Sequence, residues 1–171
     1  MSIAGTRVVV TGLGAVTPLG GDVASTWSAL LAGKSGVRRL TDSWVDDLPV
    51  RIAAPAAVDP SSVIRGARFR RMDRCEQFAL IAARQAWHDA GEPQVEADRL
   101  GVSVGSGVGG LSTTIAANDV LREKGWQRVS PFTVPMLMPN GAAAWIGIEL
   151  GARAGTHAAV SACASSLRCV A

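Results

Sequence analysis

The chain has 171 residues, 48% of them hydrophobic and 18% charged, a globular composition with enough apolar material for one sizeable core. Its formal net charge of +3 is modest, and its apolar stretches are short and broken by Gly, Pro or charge, well below the ~20 residues of a membrane span. Residues 8–19 are punctuated by Gly12, Gly14 and Pro18 and lack the layout of a secretory signal, so a cytoplasmic protein is expected, with Cys75, Cys163 and Cys169 as reduced thiols.

Arg7, Val8, Val9, Val10 and Thr11 form a β-branched run ending at Gly12, which reads as a buried strand. Asp22 caps a predicted helix through Leu31, with Trp27, Leu30 and Leu31 on one face and Gly33 as its stop. Residues 34–62 are irregular, with one short strand expected at 50–53. The clearest helix follows: Asp73 and Glu76 make a capping box, Phe78, Ile81, Ala82, Ala86 and Trp87 form the apolar face, and Gly91 ends it. Residues 100–105 read as a second central strand. It runs into Ser106-Gly107-Val108-Gly109-Gly110, a loop whose backbone can approach a ligand or take positive φ. A helix over 112–124 precedes a proline-rich turn at 130–135. A further helix reaches Leu150, stopped by Gly151, with Pro139 in its first turn or kinking it. A last strand, 157–162, leads into Cys163. Strands alternating with helices predict an α/β layered domain with a largely parallel central sheet.

Cys163 stands among small residues, Ser161-Ala162-Cys163-Ala164-Ser165-Ser166, at a predicted strand-to-helix junction. Small neighbours let a substrate carbonyl approach the sulfur, and a helix N-terminus offers free N–H groups and a positive dipole end that favour thiolate. On residue chemistry alone a buried inert thiol fits Cys163 as well as a nucleophile does. Cys163 and Cys169 have no nearby His pair at ligand spacing, so no metal is expected. His157 is six residues before Cys163 on the preceding strand and is not placed to contact it, while His88 reads as a surface or helix-end residue. Gly12-Leu13-Gly14 lacks the third glycine and the distal acid of a dinucleotide fingerprint, so a tight structural turn is the better account and no cofactor is expected. The glycine loop at 105–110 is expected to wall a substrate cavity. Arg65, Arg68, Arg70, Arg71 and Arg74 fall within ten residues. They read either as a solvated helix end or as a docking patch for an acidic partner. Phe69 is the only aromatic among them, which argues against nucleic acid.

Five segments together resemble the amino-terminal half of a β-ketoacyl-acyl carrier protein synthase of bacterial fatty-acid synthesis. They are Val8-Val9-Val10-Thr11-Gly12-Leu13-Gly14 with Thr17-Pro18-Leu19-Gly20; Arg70-Arg71-Met72-Asp73; Gly105-Ser106-Gly107-Val108-Gly109-Gly110-Leu111; Ser130-Pro131-Phe132 with Val134-Pro135; and Ser161-Ala162-Cys163-Ala164-Ser165. The order and spacing of these segments carry the resemblance, which runs over essentially the whole chain. It implies an α/β thiolase-like fold, of which this chain is the amino-terminal half, one layer pair of an α-β-α-β-α sandwich, with the carboxy-terminal half outside this sequence. It implies that Cys163 accepts an acyl group from acyl carrier protein as a thioester and that its backbone N–H is an oxyanion donor. It also implies that Val108 and Leu111 line the acyl pocket, that Thr133 and Val134 reach into the neighbouring subunit of a homodimer, and that Arg68, Arg70 and Arg71 receive the acidic carrier protein.

The family's two catalytic histidines, supporting lysine and second oxyanion donor belong to its other half and have no counterpart here, so this chain alone is expected to be inactive in condensation. A type II polyketide ketosynthase would share every one of these segments. A non-catalytic dimerisation or carrier-binding piece is the third reading.

Overall fold

The computed structural model describes residues 7–170. They fall into two compact units: one takes the described residues up to Val58 with Ala82–Pro93, the other Asp59–Ile81 with those from Gln94 onward.

In the first unit, α1 (Val23–Leu31) starts where Asp22 caps it. The Asp22 carboxylate accepts the Ser25 N–H at 2.7 Å and the Asp22 N–H donates back to the Ser25 hydroxyl at 3.3 Å. Such a reciprocal cap stabilises a helix by about 1 kcal/mol. Gly33, at φ +63°, takes the chain out of it. The expected apolar face is not buried: Trp27, Leu30 and Leu31 are exposed, and Ala29 is the residue of α1 that is covered. Two short strands, β1 (Arg38–Arg39) and β2 (Ile52–Ala53), pair antiparallel with Arg38 opposite Ala53. The 7–11 run is not a buried strand. No ladder includes it among the described residues, and Val8, Val9 and Val10 are 90%, 67% and 78% exposed. β-branched residues suit a pleated surface, but pairing needs a neighbour.

The next element, α2 (Arg74–Asp89), is the predicted long helix, ended by Gly91 at φ +78°. Its second half belongs to the first unit and explains Gly12 and Gly14. A Cβ on Gly12 would stand 2.1 Å from the Ala86 carbonyl oxygen, and one on Gly14 1.9 Å from that of Ala82. Neither glycine has positive φ. The pair therefore serves close backbone packing rather than the tight turn expected.

The first half of α2 belongs to the second unit and buries Glu76, Gln77, Leu80 and Ile81. The Gln77 amide donates to the carbonyls of Phe69 and Met72, at 3.1 and 3.0 Å, fixing the turn before the helix. The expected strand at 100–105 shortens to β3 (Val102–Ser103). α3 (Leu111–Lys124) closes at Gly125, φ +80°. The predicted helix to Leu150 is two helices, α4 (Thr133–Leu137) and α5 (Gly141–Leu150). Pro139 breaks it, forcing Met138 into an extended conformation at ψ 134°. Gly151 stops α5 at φ +68°. β4 (Thr156–His157) pairs parallel with β3, Val102 opposite Thr156. The expected parallel sheet is this one pair among the described residues, extended at one end where the Val104 N–H donates to the His157 carbonyl at 3.1 Å and at the other where the Val102 N–H donates to the Gly155 carbonyl and the Ala154 N–H to the Leu100 carbonyl, each at 3.0 Å. The last helix is α6 (Ser165–Arg168).

Candidate active site at the Cys163 turn

The strand expected over 157–162 ends at His157, and Cys163 sits in a single 3-10 turn, Ala162–Ala164, that runs into α6. The turn's backbone bonds run from the Ala164 N–H to the Ser161 carbonyl and from the Ser165 N–H to the Ala162 carbonyl, leaving the Cys163 N–H outside them. Ala162 holds φ +49°, a left-handed conformation that costs a residue with a Cβ about 1–2 kcal/mol. Two contacts hold it there. The Ser165 hydroxyl accepts the Ser161 N–H at 2.8 Å and donates to the Ala162 carbonyl at 2.8 Å. Behind it, a Cβ on Gly105 would fall 2.7–2.9 Å from Ser165, so only glycine lets the loop after β3 press against this turn. Cys163 is exposed between two alanines. The helix dipole expected behind it is reduced to four residues of α6, too few peptide units for a sizeable macrodipole.

The other thiols differ. Cys75 is half-buried, and burial first, then its hydrogen bond to Asp73 and the charges of Asp73 and Glu76, push its thiol up to about 12. Cys169 is half-buried just past α6. His157 is exposed on β4. His88 is exposed, with Nδ1 3.1 Å from Glu92 Oε1.

The far end of the glycine loop packs tightly against the segment after α4. The Gly110 N–H donates to the Leu137 carbonyl at 3.1 Å, and a Cβ there would lie 2.0 Å from the Met136 carbonyl oxygen. Gly109, at φ +79°, is as tightly set against 137–139. Val108 and Leu111 are exposed, at 63% and 52%. A groove of about 280 Å³ lies instead along α3 and α4, lined among others by Arg70, Thr113, Arg128, Ser130, Thr133 and Met136. It takes in Thr133 of the expected substrate contacts, while Val134 beside it is exposed. Arg128 was not singled out in the sequence because it stands far from the arginine cluster; the turn before α4 places it on the same groove as Arg70.

The arginines are not equivalent. Arg68 forms an ion pair with Glu149 and lies 5.2 Å from the Trp145 ring centre. Arg71 lies over Phe132 at 4.5 Å and Arg74 over Phe78 at 5.0 Å. Arg70 is exposed at the groove. Beneath them Glu76 is fully buried. Its Oε2 accepts the Asp73 N–H at 3.0 Å, completing the predicted capping box, while Oε1 has no hydrogen-bond partner and presses on Gly141 at the start of α5. Burial lifts its carboxyl to about 7; the Asp73 N–H bond opposes this, the Asp73 charge adds to it, and Trp145 opposes it.

Among the described residues no group of three or more His, Cys, Asp or Glu could hold a metal, and no helix is long and apolar enough to cross a membrane. The family described as beta-ketoacyl synthase, N-terminal domain, matches residues 5–171, and the chain belongs to it. The 3-oxoacyl-(acyl-carrier-protein) synthase 2 of Staphylococcus aureus is 43% identical over 162 residues, covering 93% of this chain and 39% of that protein. The protein of the same name from Mycobacterium bovis is 40% identical over 166 residues, covering 96% of this chain and 40% of its own length. The chain thus spans about 40% of the length of these relatives. The crystal structure of a beta-ketoacyl synthase from Burkholderia phymatum superposes with a TM-score of 0.78 at 29% identity, over 96% of this chain and 41% of that one. The fold is therefore the thiolase-like α/β fold expected from the sequence.

Proposed function

We propose that this chain is the nucleophile-bearing part of a 3-oxoacyl-acyl carrier protein synthase, an acyltransferase of fatty-acid elongation. The observation that carries the reading is the exposed Cys163 on a strained turn of small residues, within a chain matched by the family from end to end of its described part. In the first step the Cys163 thiolate attacks the thioester carbonyl of an acyl carrier protein. A new carbon–sulfur bond forms, and the carrier's thiol leaves with the electron pair of the old one. The Cys163 N–H, which lies outside the turn's own backbone bonds, donates to the oxyanion formed on the way. In the second step a malonyl thioester loses CO2. The released electron pair forms a carbon–carbon bond to the acyl carbonyl, and Cys163 sulfur departs as thiolate. Groups that drive this decarboxylation are proposed to lie in the remainder of the protein, as the resemblance implies.

The acidic carrier is received by Arg70 and Arg71, which stay exposed, with Arg68 bracing the surface through Glu149. Thr133 and the exposed Val134 face a second copy in a homodimer, and Val108 and Leu111 contribute to an acyl pocket completed outside this chain. Intact-mass analysis after incubation with an acyl carrier protein thioester tests the reading. The acyl mass is expected on Cys163 and lost in Cys163→Ala; acylation persisting in that variant would overturn it.

A further inference from the structure

The hydroxyl of Ser165 sits at an uncommon place: it is 4% exposed and bonded to both sides of one strained residue. It accepts from the N–H of Ser161, which precedes Ala162, and donates to the carbonyl of Ala162 itself, each at 2.8 Å. One side chain thus bonds to the backbone of this turn at two points. The left-handed φ of Ala162 decides the direction in which the next residue leaves the chain, and the next residue is Cys163. A Cβ-bearing residue released from such a conformation relaxes toward negative φ. That relaxation would swing the Cys163 sulfur and N–H together. Gly105 supports the same arrangement from behind, because a Cβ there would meet the Ser165 backbone at 2.7 Å.

We infer that Ser165 is a positioning residue for acyl transfer, its hydroxyl clasping Ser161 and Ala162 so that the Cys163 thiol and N–H meet one incoming thioester carbonyl. The inference rests on the reading of Cys163 as the acylated nucleophile. Ser165 does not touch substrate; it acts through the backbone of the turn.

The test compares the wild-type chain with Ser165→Ala, Ser165→Thr, Gly105→Ala and, as a control, Ser166→Ala, whose side chain is exposed. Three readouts are taken on each. Acyl transfer to Cys163 is followed with a millimolar octanoyl N-acetylcysteamine thioester, alkylation of the same thiol with iodoacetamide, which tolerates many approach directions, and amide hydrogen exchange at Ser161. Exchange at Val104, whose N–H is held by His157, reports whether each variant keeps its fold. Ser165→Ala and Gly105→Ala are expected to lower acyl transfer about tenfold, to leave alkylation within about twofold, and to raise Ser161 exchange at least tenfold. Ser165→Thr, which keeps the hydroxyl, should restore acyl transfer and Ser161 protection, and Ser166→Ala should match wild type. Equal acyl transfer and equal Ser161 exchange in wild type and Ser165→Ala would overturn the inference, as would equal losses in acyl transfer and alkylation. A wild-type chain whose Cys163 is acylated no faster than a peptide of residues 159–169 would overturn the nucleophile reading instead, with Ser161 exchange still deciding whether Ser165 clasps the turn.

Discussion

The carboxylate of Asp73 caps two helices at once, because its Oδ2 accepts both the N–H and the hydroxyl of Thr113, at 3.0 and 2.7 Å. Its Oδ1 meanwhile accepts the Cys75 N–H at 3.0 Å, in the first turn of its own helix α2. Thr113 is the third residue of α3, whose N-cap position is Gly110 and so has no side chain to offer. Gly110 must be glycine for its contact with Met136, and the acceptor that α3 lacks arrives from 40 residues away.

Removing that carboxylate frays both helix starts. Asp73→Ala is expected to lower stability by about 2–4 kcal/mol, two caps at about 1–2 each. Asp73→Asn, which keeps one oxygen, should lose less. Urea denaturation of the chain measures both, and amide exchange in the first turn of α3 should rise in the alanine variant.

Glu76 gives stability an unusual pH dependence. Its folded-state carboxyl is raised to about 7, chiefly by burial, above an ordinary value of 4.5. Between these values the folded chain holds a proton that the unfolded chain has released, so this group's contribution falls as pH rises from about 4.5 to 7 and is level outside that window. The loss is on the order of 3 kcal/mol. Asp73 works in the opposite sense. Burial acts on it most strongly and upward, yet the bonds from Thr113 and Cys75 leave it net lowered from 3.8, so its contribution is lost as pH falls below that value. Denaturation midpoints across pH 4–8 should slope downward in wild type and flatten in Glu76→Gln.

The three cysteines should separate by reactivity. At pH 7.5 iodoacetamide is expected to modify Cys163 at least tenfold faster than Cys75, which is half-buried and carries a thiol pushed up to about 12. Peptide mapping at partial modification reads the ratio directly.

Charge reversal should sort the arginines by what holds them. Arg70→Glu is expected to weaken binding of an acidic carrier protein several-fold at low salt, with the loss shrinking as salt rises, and to leave the melting temperature within about 2 °C. Arg68→Glu faces Glu149 and Trp145 and should lower the melting temperature instead. Titration calorimetry at two salt concentrations and a thermal scan separate these outcomes.

Local signals made the helices legible. The Asp22 and Asp73 caps and the glycine stops at 33, 91 and 151 each depend on a few neighbouring residues, and all lie where their side-chain chemistry put them. Strands were overread because a β-branched run states a preference while a ladder needs a second segment, which the 7–11 run does not find among the described residues. Pro139 broke a helix rather than kinking it, since Met138 before it had to turn extended. At the site, Cys163 could be singled out from its small neighbours. The role of Ser165 could not, because one more serine in a run of small residues carries no signal until the backbone closes around it. Arg68 looked like its neighbours for a similar reason: sequence shows where charge is dense, not which charge already has a partner.

The uncovered valines at 8–10 have a practical consequence for anyone handling this chain. A stretched backbone with three adjacent exposed β-branched side chains, outside every ladder among the described residues, is a template on which another extended segment can assemble. A concentration ceiling set by self-association is then the expected outcome in solution. Lysine at Val9 would raise that ceiling by putting charge in the middle of the template.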